Sequence, residues 1–299
     1  MIKGSYPALV TPFKKGKNQK VDYPSLEKLL QFHIDNGSDG LVLLGTSAES
    51  ATLSFAEKKE ILTFCIDQVK SKLTIIAGTG ANNLPQTIET TLLAESLGVQ
   101  YAMIVTPFYN KPNQEGLFLY YKELVQHTNL PIIIYNVPGR TGVNIDADVV
   151  IKLANLFPDR IVAIKEASAD LIKASKIIRD TPDTFTLISG EDALNYPLLC
   201  VGAKGAISVT ANVVPKEMKM MIDYALEGNH KKALFLHQAL IELNDVMFID
   251  TNPIPVKQLL HDIGLIGLEY RLPLCKTIKD KKNKITYIYK KFKDTVKQS

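Results

Sequence analysis

The amino-acid sequence predicts an α/β protein whose strands close into a (β/α)8 barrel, a TIM barrel, followed by a helical C-terminal extension. Three observations predict this class. Eight short apolar runs recur within the first 214 residues, separated by loops and by stretches with helical periodicity. The runs are apolar throughout rather than alternating, as is typical of parallel strands buried on both faces. Residues 215–299 show helical patterns only. An open, doubly wound sheet is the competing topology.

Each predicted strand is rich in β-branched and aliphatic side chains, which favour a pleated, buried surface. Eight β/α units in about 215 residues match the size of a closed barrel rather than of two separate domains. We therefore expect one barrel over residues 1–214 and one helical region over residues 215–299. The predicted strands are Tyr6–Val10, Leu41–Leu44, Leu73–Ala77, Tyr101–Val105, Pro131–Val137, Ile161–Ile164, Phe185–Ile188 and Ala206–Val209.

The intervening helices carry their own start and stop signals. Ser54 can cap a helix whose third residue is Glu57, the pattern of a capping box. Gly37 and Gly98 stand where two other helices should end. The last helix is predicted from an apolar stripe, which consists of Ile285, Ile288, Phe292 and Val296.

Composition excludes several classes of protein. With 46% hydrophobic and 22% charged residues, the chain is typical of a globular protein that can bury a core. No apolar run approaches the roughly 18 residues of a membrane span, and the first residues lack the h-region of a signal peptide. We expect a soluble cytoplasmic protein. Cys65, Cys200 and Cys275 are widely spaced, which argues against a disulfide framework or a zinc site.

The charge is concentrated at the C-terminal end of the chain. Residues 276–299 contain nine Lys and two Asp, a charge of +7, whereas the whole chain carries only +4. A nucleic-acid-binding role would depend on this segment, although lysine runs are more often a solvated helix face.

Lys165 is the most informative candidate for a catalytic residue. It follows Ile161–Ile164 and must project from an apolar strand into a poorly solvated interior. Desolvation disfavours the ammonium form, and the free amine is the form that attacks a ketone or aldehyde to give a Schiff base. An ion pair with Glu166 or Glu191 is the alternative environment for Lys165. Those two carboxylates could instead hold Mg²⁺ beside a lysine base.

Other polar residues follow the predicted strands, at the end of a barrel where active sites form. Tyr135 could transfer protons, or it could be an ordinary core tyrosine. Arg140 could grip a carboxylate with its planar guanidinium, or it could be a solvated surface residue. Thr46 and Ser47 follow a glycine and could bind a small anion, or they could cap a helix. No dinucleotide or P-loop motif is complete, so we expect no organic cofactor.

Several segments together are more specific than any one of them. The segments Gly45–Leu53, Val105–Asn110, Tyr135–Gly142, Ala163–Ala167 and Ile207–Asn212 resemble, in order and spacing, the dihydrodipicolinate synthase (4-hydroxy-tetrahydrodipicolinate synthase) family. The resemblance extends over nearly the whole chain, through Arg271-Leu272-Pro273. It implies a class I aldolase-type lyase that condenses pyruvate with L-aspartate 4-semialdehyde in the diaminopimelate and lysine pathway.

The resemblance also implies a role for each matching residue. Lys165 would form the Schiff base with pyruvate, and a relay of Tyr135, Thr46 and Tyr109 would move protons. Tyr109 would reach into the site of a neighbouring subunit, within a tetramer built as a dimer of dimers. No metal or organic cofactor is implied. The binding residues would be Thr46 and Ser47 for the pyruvate carboxylate, Arg140 for the semialdehyde carboxylate, and Gly190 and Ile207 along the pocket.

The chain departs from the family pattern at two places. Ser47 and Ala48 stand where the family usually has threonine and glycine, and an alanine methyl disfavours positive φ at a tight turn. The pocket for lysine feedback differs more: Phe55, Lys58, Gln86 and Phe108 replace His, His, Glu and Tyr, while Ser50, Ala51 and Asn82 agree. We therefore predict weak or absent inhibition by lysine.

Three alternatives to this function stay open. N-acetylneuraminate lyase and other keto-acid aldolases share the lysine and the tyrosine, and Arg140 argues for the dihydrodipicolinate synthase reaction. Nucleic-acid binding by the basic segment belongs to a different class, and any such binding would be non-specific. A non-catalytic scaffold leaves a lysine inside an apolar strand unexplained.

Overall fold

The computed structural model describes residues 1–297 and has the predicted fold class. Its eight strands form one sheet in the order β1-β8-β7-β6-β5-β4-β3-β2. A parallel bridge between Ala8 and Val42 joins the segment after β1 to β2, the two strands at the ends of that order. The strands are β1 (Gly4–Pro7), β2 (Gly40–Leu43), β3 (Thr74–Gly78), β4 (Tyr101–Val105), β5 (Ile132–Asn136), β6 (Ile161–Glu166), β7 (Thr186–Ser189) and β8 (Gly205–Ser208).

All eight predicted strands are confirmed to within a few residues at their ends. Helices separate successive strands and continue after β8. They are α1 (Tyr23–Asp35), α2 (Phe55–Val69), α3 (Leu84–Ser96), α4 (Gln114–His127), α5 (Pro138–Thr141), α6 (Ala147–Leu156), α7 (Leu171–Asp180), α8 (Asn195–Cys200), α9 (Pro215–Leu226), α10 (His230–Val246), α11 (Ile254–Asp262) and α12 (Lys279–Lys297).

The chain divides into two compact units. Unit 1 comprises Met1–Gly4 and Thr74–Ile207, and its strands from β3 to β8 pair in parallel with their sequence neighbours. Among the described residues, unit 2 comprises residues 5–73 and 208–297, with α1, α2 and the four C-terminal helices. The boundary at residue 214 between barrel and helical region stays a prediction.

The helix signals read from the sequence are confirmed. Ser54 and Glu57 form the complete capping box of α2, and Gly37 and Gly98 both adopt positive φ just after a helix. In α12, Ile285 and Phe292 of the predicted stripe are buried. The predicted helical region after β8 is confirmed, since the described residues 209–297 contain helices and no strand. Residues 263–278, between α11 and α12, contain no helix. Gly264, with φ of 82°, stands just after the end of α11.

Candidate active site

Lys165 lies on β6 near its carboxyl end and is only 5% exposed. The strand register pairs it with Tyr135 on β5 and with Ile188 on β7. The Lys165 ammonium lies over the Tyr135 ring, 4.1 Å from the ring centre. A ring face attracts a cation through its quadrupole, so this contact orients the Lys165 side chain. The structure therefore brings these two predicted catalytic residues together.

Glu166 does not serve as an ion-pair partner of Lys165. Its carboxylate lies 3.2 Å from the Lys173 ammonium of α7 and accepts hydrogen bonds from the Asn136 amide and the Ser168 backbone N–H. Glu166 is 2% exposed, so these partners offset the cost of burying its charge. Among residues 1–297, the ion pairs of the structure do not include Lys165.

The magnesium alternative receives no support from this arrangement. It requires the Glu166 carboxylate, which is already bound by an ammonium and an amide. Within the described part of the chain, no group of three or more His, Cys, Asp or Glu side chains is placed to hold a metal ion. Glu191, the second carboxylate of that alternative, follows β7.

Gly190 makes room for the Lys165 side chain. A Cβ atom at Gly190 would lie 2.9 Å from Cγ and Cε of Lys165, and equally close to Cβ of Ala167. These distances are well below ordinary carbon contacts of about 3.5–4.0 Å. Gly190 is held in place by its backbone N–H, which donates to the carbonyl of Glu166. Ile207 is buried in β8, and the expectation that Gly190 and Ile207 line a substrate pocket stays a prediction.

Tyr109 and Arg140 are exposed residues of unit 1. Tyr109 is 88% exposed and has a φ of 73°, a conformation that is strained for a bulky residue. Arg140, which the sequence places in a turn, lies in the one-turn helix α5. Nothing in the surface position of Tyr109 provides a packing reason for its strain, and such strain is concentrated at functional sites.

In unit 2, Thr46 and Ser47 begin a short 3-10 helix directly after β2. Ser47 is buried, and its Oγ accepts a hydrogen bond of 2.9 Å from the Asn252 side-chain amide. The expected difficulty at Ala48 does not arise, because Ala48 lies within this 3-10 helix. The positive φ values fall at the neighbouring Leu44, at 56°, and Glu49, at 53°.

Sequence reasoning missed a buried ion pair beside this loop. The Lys257 ammonium of α11 lies 2.6 Å from the Glu49 carboxylate, and both side chains are fully buried. Burial lowers the pKa of Lys257, and the Glu49 carboxylate opposes that shift. The signal that singled out Lys165 could also have found Lys257, because Lys257 stands within the apolar run Ile254–Leu260.

The basic segment is used to bind α12 to the rest of unit 2. Five of its nine lysines form ion pairs with acidic residues outside the segment. The pairs are Lys276–Glu269, Lys281–Asp250, Lys282–Asp262, Lys291–Glu242 and Lys293–Glu217. A surface that binds nucleic acid needs its cations for phosphates, so this pairing argues against that alternative. In residues 1–297, no helix is both long and apolar enough to span a bilayer.

The chain is similar to a known protein family over nearly its whole length. The model of the dihydrodipicolinate synthetase family matches residues 1–292. A curated 4-hydroxy-tetrahydrodipicolinate synthase of Thermodesulfovibrio yellowstonii is 46% identical over 288 residues, which cover 96% of this chain and 97% of the relative.

Solved structures of dihydrodipicolinate synthases match this chain over nearly its whole length. The crystal structure of dihydrodipicolinate synthase from Aquifex aeolicus matches with a TM-score of 0.94 at 40% identity, covering 98% of each chain. The chloride-inhibited enzyme from Acinetobacter baumannii, crystallised as a complex with pyruvate, matches with a TM-score of 0.94 at 39% identity, covering 98% of this chain and 99% of that one.

Proposed function

The chain belongs to the dihydrodipicolinate synthetase family, and from that premise we propose that Lys165 is the residue that forms a Schiff base with pyruvate. The activity is that of a 4-hydroxy-tetrahydrodipicolinate synthase, a lyase of lysine and diaminopimelate biosynthesis, which condenses pyruvate with L-aspartate 4-semialdehyde. The observation that carries the assignment of Lys165 is its burial at the end of β6 over the Tyr135 ring, with the nearest glutamate engaged by Lys173.

The chemistry follows from a buried amine. The amine of Lys165 attacks the ketone carbon of pyruvate, and loss of water from the carbinolamine gives a protonated imine. The imine withdraws electrons from the adjacent methyl group, which loses a proton and becomes an enamine. The enamine carbon attacks the aldehyde of the second substrate and forms the new carbon–carbon bond. The amino group that came from the semialdehyde then attacks the imine carbon, which closes the ring and breaks the bond to the lysine nitrogen. The product leaves and the free Lys165 amine is regenerated, so the protein itself supplies the electron sink.

Proton transfer is assigned to hydroxyl groups. In this proposal Tyr135 serves the carbinolamine and Thr46 continues the relay. Tyr109 acts in the site of a neighbouring subunit. The strained backbone of Tyr109 supports a functional role, because such strain is concentrated at functional sites. Its 88% exposure leaves the side chain available to a neighbouring subunit. The assembly proposed is a homotetramer, a dimer of dimers, located in the cytoplasm.

Carboxylate binding is divided between two groups of residues. Thr46 and Ser47 bind the pyruvate carboxylate through hydroxyl and backbone donors, and Arg140 binds the carboxylate of the semialdehyde. Gly190 and Ile207 line the pocket. These roles rest on the motifs shared with the family, and the room that Gly190 leaves for Lys165 supports its own assignment.

Reductive trapping tests the proposal. The protein is incubated with pyruvate, reduced with borohydride and mapped by peptide mass spectrometry. We expect one adduct, on the peptide that contains Lys165, and none in a Lys165→Met variant. An adduct on another lysine, or no adduct, contradicts the assignment. Turnover of pyruvate with L-aspartate 4-semialdehyde is then compared with cleavage of N-acetylneuraminate, and faster cleavage of the sugar acid would favour the lyase alternative.

A further inference from the structure

The buried salt bridge between Glu49 and Lys257 adjoins the loop of Thr46 and Ser47, because Glu49 directly follows the 3-10 helix that these residues begin. The Lys257 ammonium contacts one oxygen of Glu49 at 2.6 Å, and the backbone N–H of Arg271 donates to the other oxygen at 3.0 Å. Lys257 also donates to the Thr11 carbonyl at 3.0 Å. Both side chains are fully buried, so water takes no part in balancing these charges.

Two aromatic rings and a second cation surround the pair. The Lys257 ammonium lies 4.5 Å from the centre of the Phe13 ring and 5.0 Å from that of Tyr270. The Arg271 guanidinium lies 4.4 Å from the centre of the same Phe13 ring and pairs with Glu57. The Glu49 carboxylate is thus fixed from α11 and from the segment after it.

Stability alone does not explain such a pair. Replacing a buried ion pair with neutral residues of similar volume is often neutral or stabilising, whereas removing one partner is strongly destabilising. Glu49 moreover occupies the left-handed region, with φ of 53° and ψ of 36°, which is unfavourable for a non-glycine residue. Backbone strain of this kind is concentrated at functional sites, so a strained residue held by a buried ion pair indicates that its exact position contributes to function.

The geometry fixed at Glu49 is transmitted to the loop through the backbone. The N–H of Glu49 donates to the carbonyl of Thr46, and the N–H of Ala48 donates to the carbonyl of Gly45. The segment that enters α11 makes a second contact, where Asn252 donates to Ser47 Oγ. Because Ser47 accepts this bond, its own hydroxyl proton is directed to another acceptor, such as a carboxylate.

We propose that Glu49 and Lys257 are a positioning pair, which holds Thr46 and Ser47 in the orientation that binds the carboxylate of the keto acid. This inference rests on the proposed function, since it assumes that these hydroxyl residues meet pyruvate. Neither Glu49 nor Lys257 touches the substrate. Their effect is on the affinity for pyruvate and, through Thr46 of the proton relay, also on the chemical steps at Lys165.

The decisive variant is the double substitution Glu49→Gln/Lys257→Met, which removes both charges at nearly constant volume. We expect its melting temperature to be close to that of the wild type, because no uncompensated charge remains. The pyruvate concentration for half-maximal borohydride trapping should rise about tenfold, a loss of about 1.4 kcal/mol. The KM for pyruvate should rise equally, as expected when uniform binding is lost, and kcat should fall as well because Thr46 of the proton relay is displaced.

A matched control removes a second ion pair of unit 2. The double variant Glu217→Gln/Lys293→Met eliminates a 2.8 Å pair on α9 and α12 and should trap pyruvate as the wild type does. If Glu49→Gln/Lys257→Met does not fold, Glu49→Asp, which keeps the charge opposite Lys257 but shortens the side chain, is measured instead and should show a smaller rise in the same direction.

The outcomes separate this inference from the proposed function. Trapping of the wild type at Lys165, with unchanged pyruvate dependence in the folded double variant, overturns the positioning role alone. Loss of kcat with an unchanged KM for pyruvate also overturns it. Absence of trapping in the wild type overturns the proposed function, and the positioning inference with it.

Discussion

The ammonium nitrogen of Lys165 lies 4.1 Å from the centre of the Tyr135 ring, on the adjacent strand. The ring and the hydroxyl of this tyrosine therefore have separable effects. Tyr135→Phe keeps the ring under the ammonium and removes only the hydroxyl. We expect kcat to fall by on the order of 100-fold or more, the usual contribution of a positioned acid–base group.

The ring contact is tested by a second variant at the same position. Tyr135→Leu removes both ring and hydroxyl and should reduce the rate of pyruvate trapping further than Tyr135→Phe does. Circular dichroism checks that both variants fold. Equal activity of Tyr135→Phe and the wild type would contradict a role for the hydroxyl in proton transfer.

Gly190→Ala should damage the site by crowding Lys165. The added methyl would lie 2.9 Å from two carbons of the lysine side chain, and overpacking of this kind costs about 1–3 kcal/mol. We expect the rate of pyruvate trapping to fall about tenfold or more. Gly267→Ala is the matched control, because its methyl would meet only the Phe13 carbonyl, at 3.7 Å. Similar rates for both variants would show that Lys165 does not need this space.

The ion pair of Glu57 with Arg271 should make stability depend on pH. Hydrogen bonds from Arg271 lower the pKa of Glu57 from 4.5 to about 2. A carboxyl whose pKa is depressed in the folded state stabilises the fold above its unfolded value of 4.5, and this contribution is lost as the pH falls towards 2. Glu57→Gln should therefore lower the melting temperature at pH 7, and the difference from the wild type should shrink at pH 3.

An exposed pair provides the comparison for that measurement. Asp180 pairs with Arg179 at the protein surface, and surface pairs contribute little to stability. Asp180→Asn should leave the melting temperature unchanged at both pH values. A constant destabilisation by Glu57→Gln from pH 7 to pH 3 would contradict the assigned pKa shift.

If two subunits contribute residues to one active site, two inactive variants should recover activity when they are combined in a hybrid. If Tyr109 acts in a partner's site, a hybrid of a Lys165→Met subunit and a Tyr109→Ala subunit contains one intact site, with Lys165 from one chain and Tyr109 from the other. Coexpression with two different tags isolates the hybrid. We expect it to recover part of the wild-type activity, while each variant alone is inactive or strongly impaired. A hybrid as inactive as its parents places Tyr109 in its own subunit's chemistry.

Lysine should inhibit this enzyme weakly or not at all. Gln86 lacks the charge that would pair with the ammonium of the effector, and Lys58 adds a like charge. The Gln86 side chain also accepts a hydrogen bond of 3.1 Å from Asn83 at the start of α3. A lysine titration of initial rates measures the effect, and strong inhibition at sub-millimolar concentration rejects this prediction. Gln86→Glu should increase sensitivity.

Local sequence patterns were sufficient to predict the strands and the helix signals of the fold. The strand β4 matches its predicted bounds, Tyr101–Val105, and the Ser54 capping box is complete. These features depend on residues close together in the chain, where periodicity and capping chemistry act directly. The strand position of Lys165 was predictable for the same reason.

Contacts over long sequence separations were not predictable in this way. Lys257 is 208 residues from Glu49, and Asn252 is 205 residues from Ser47, so no local pattern relates them. The environment of Lys165 depended on a contact between residues close in the chain, but no pattern marked it. The sequence left open a pair with Glu166, and the choice was decided by Lys173, a residue of α7 that carried no signal of its own.

Because Glu166 pairs with Lys173, the stability of the fold does not depend on a charge at Lys165. In the proposed reaction Lys165 becomes covalently bonded to the substrate in each turnover, and this change does not deprive a buried acid of its countercharge. We therefore expect Lys165→Met to fold normally and to serve as an inactive reference protein for crystallising both substrates before reaction.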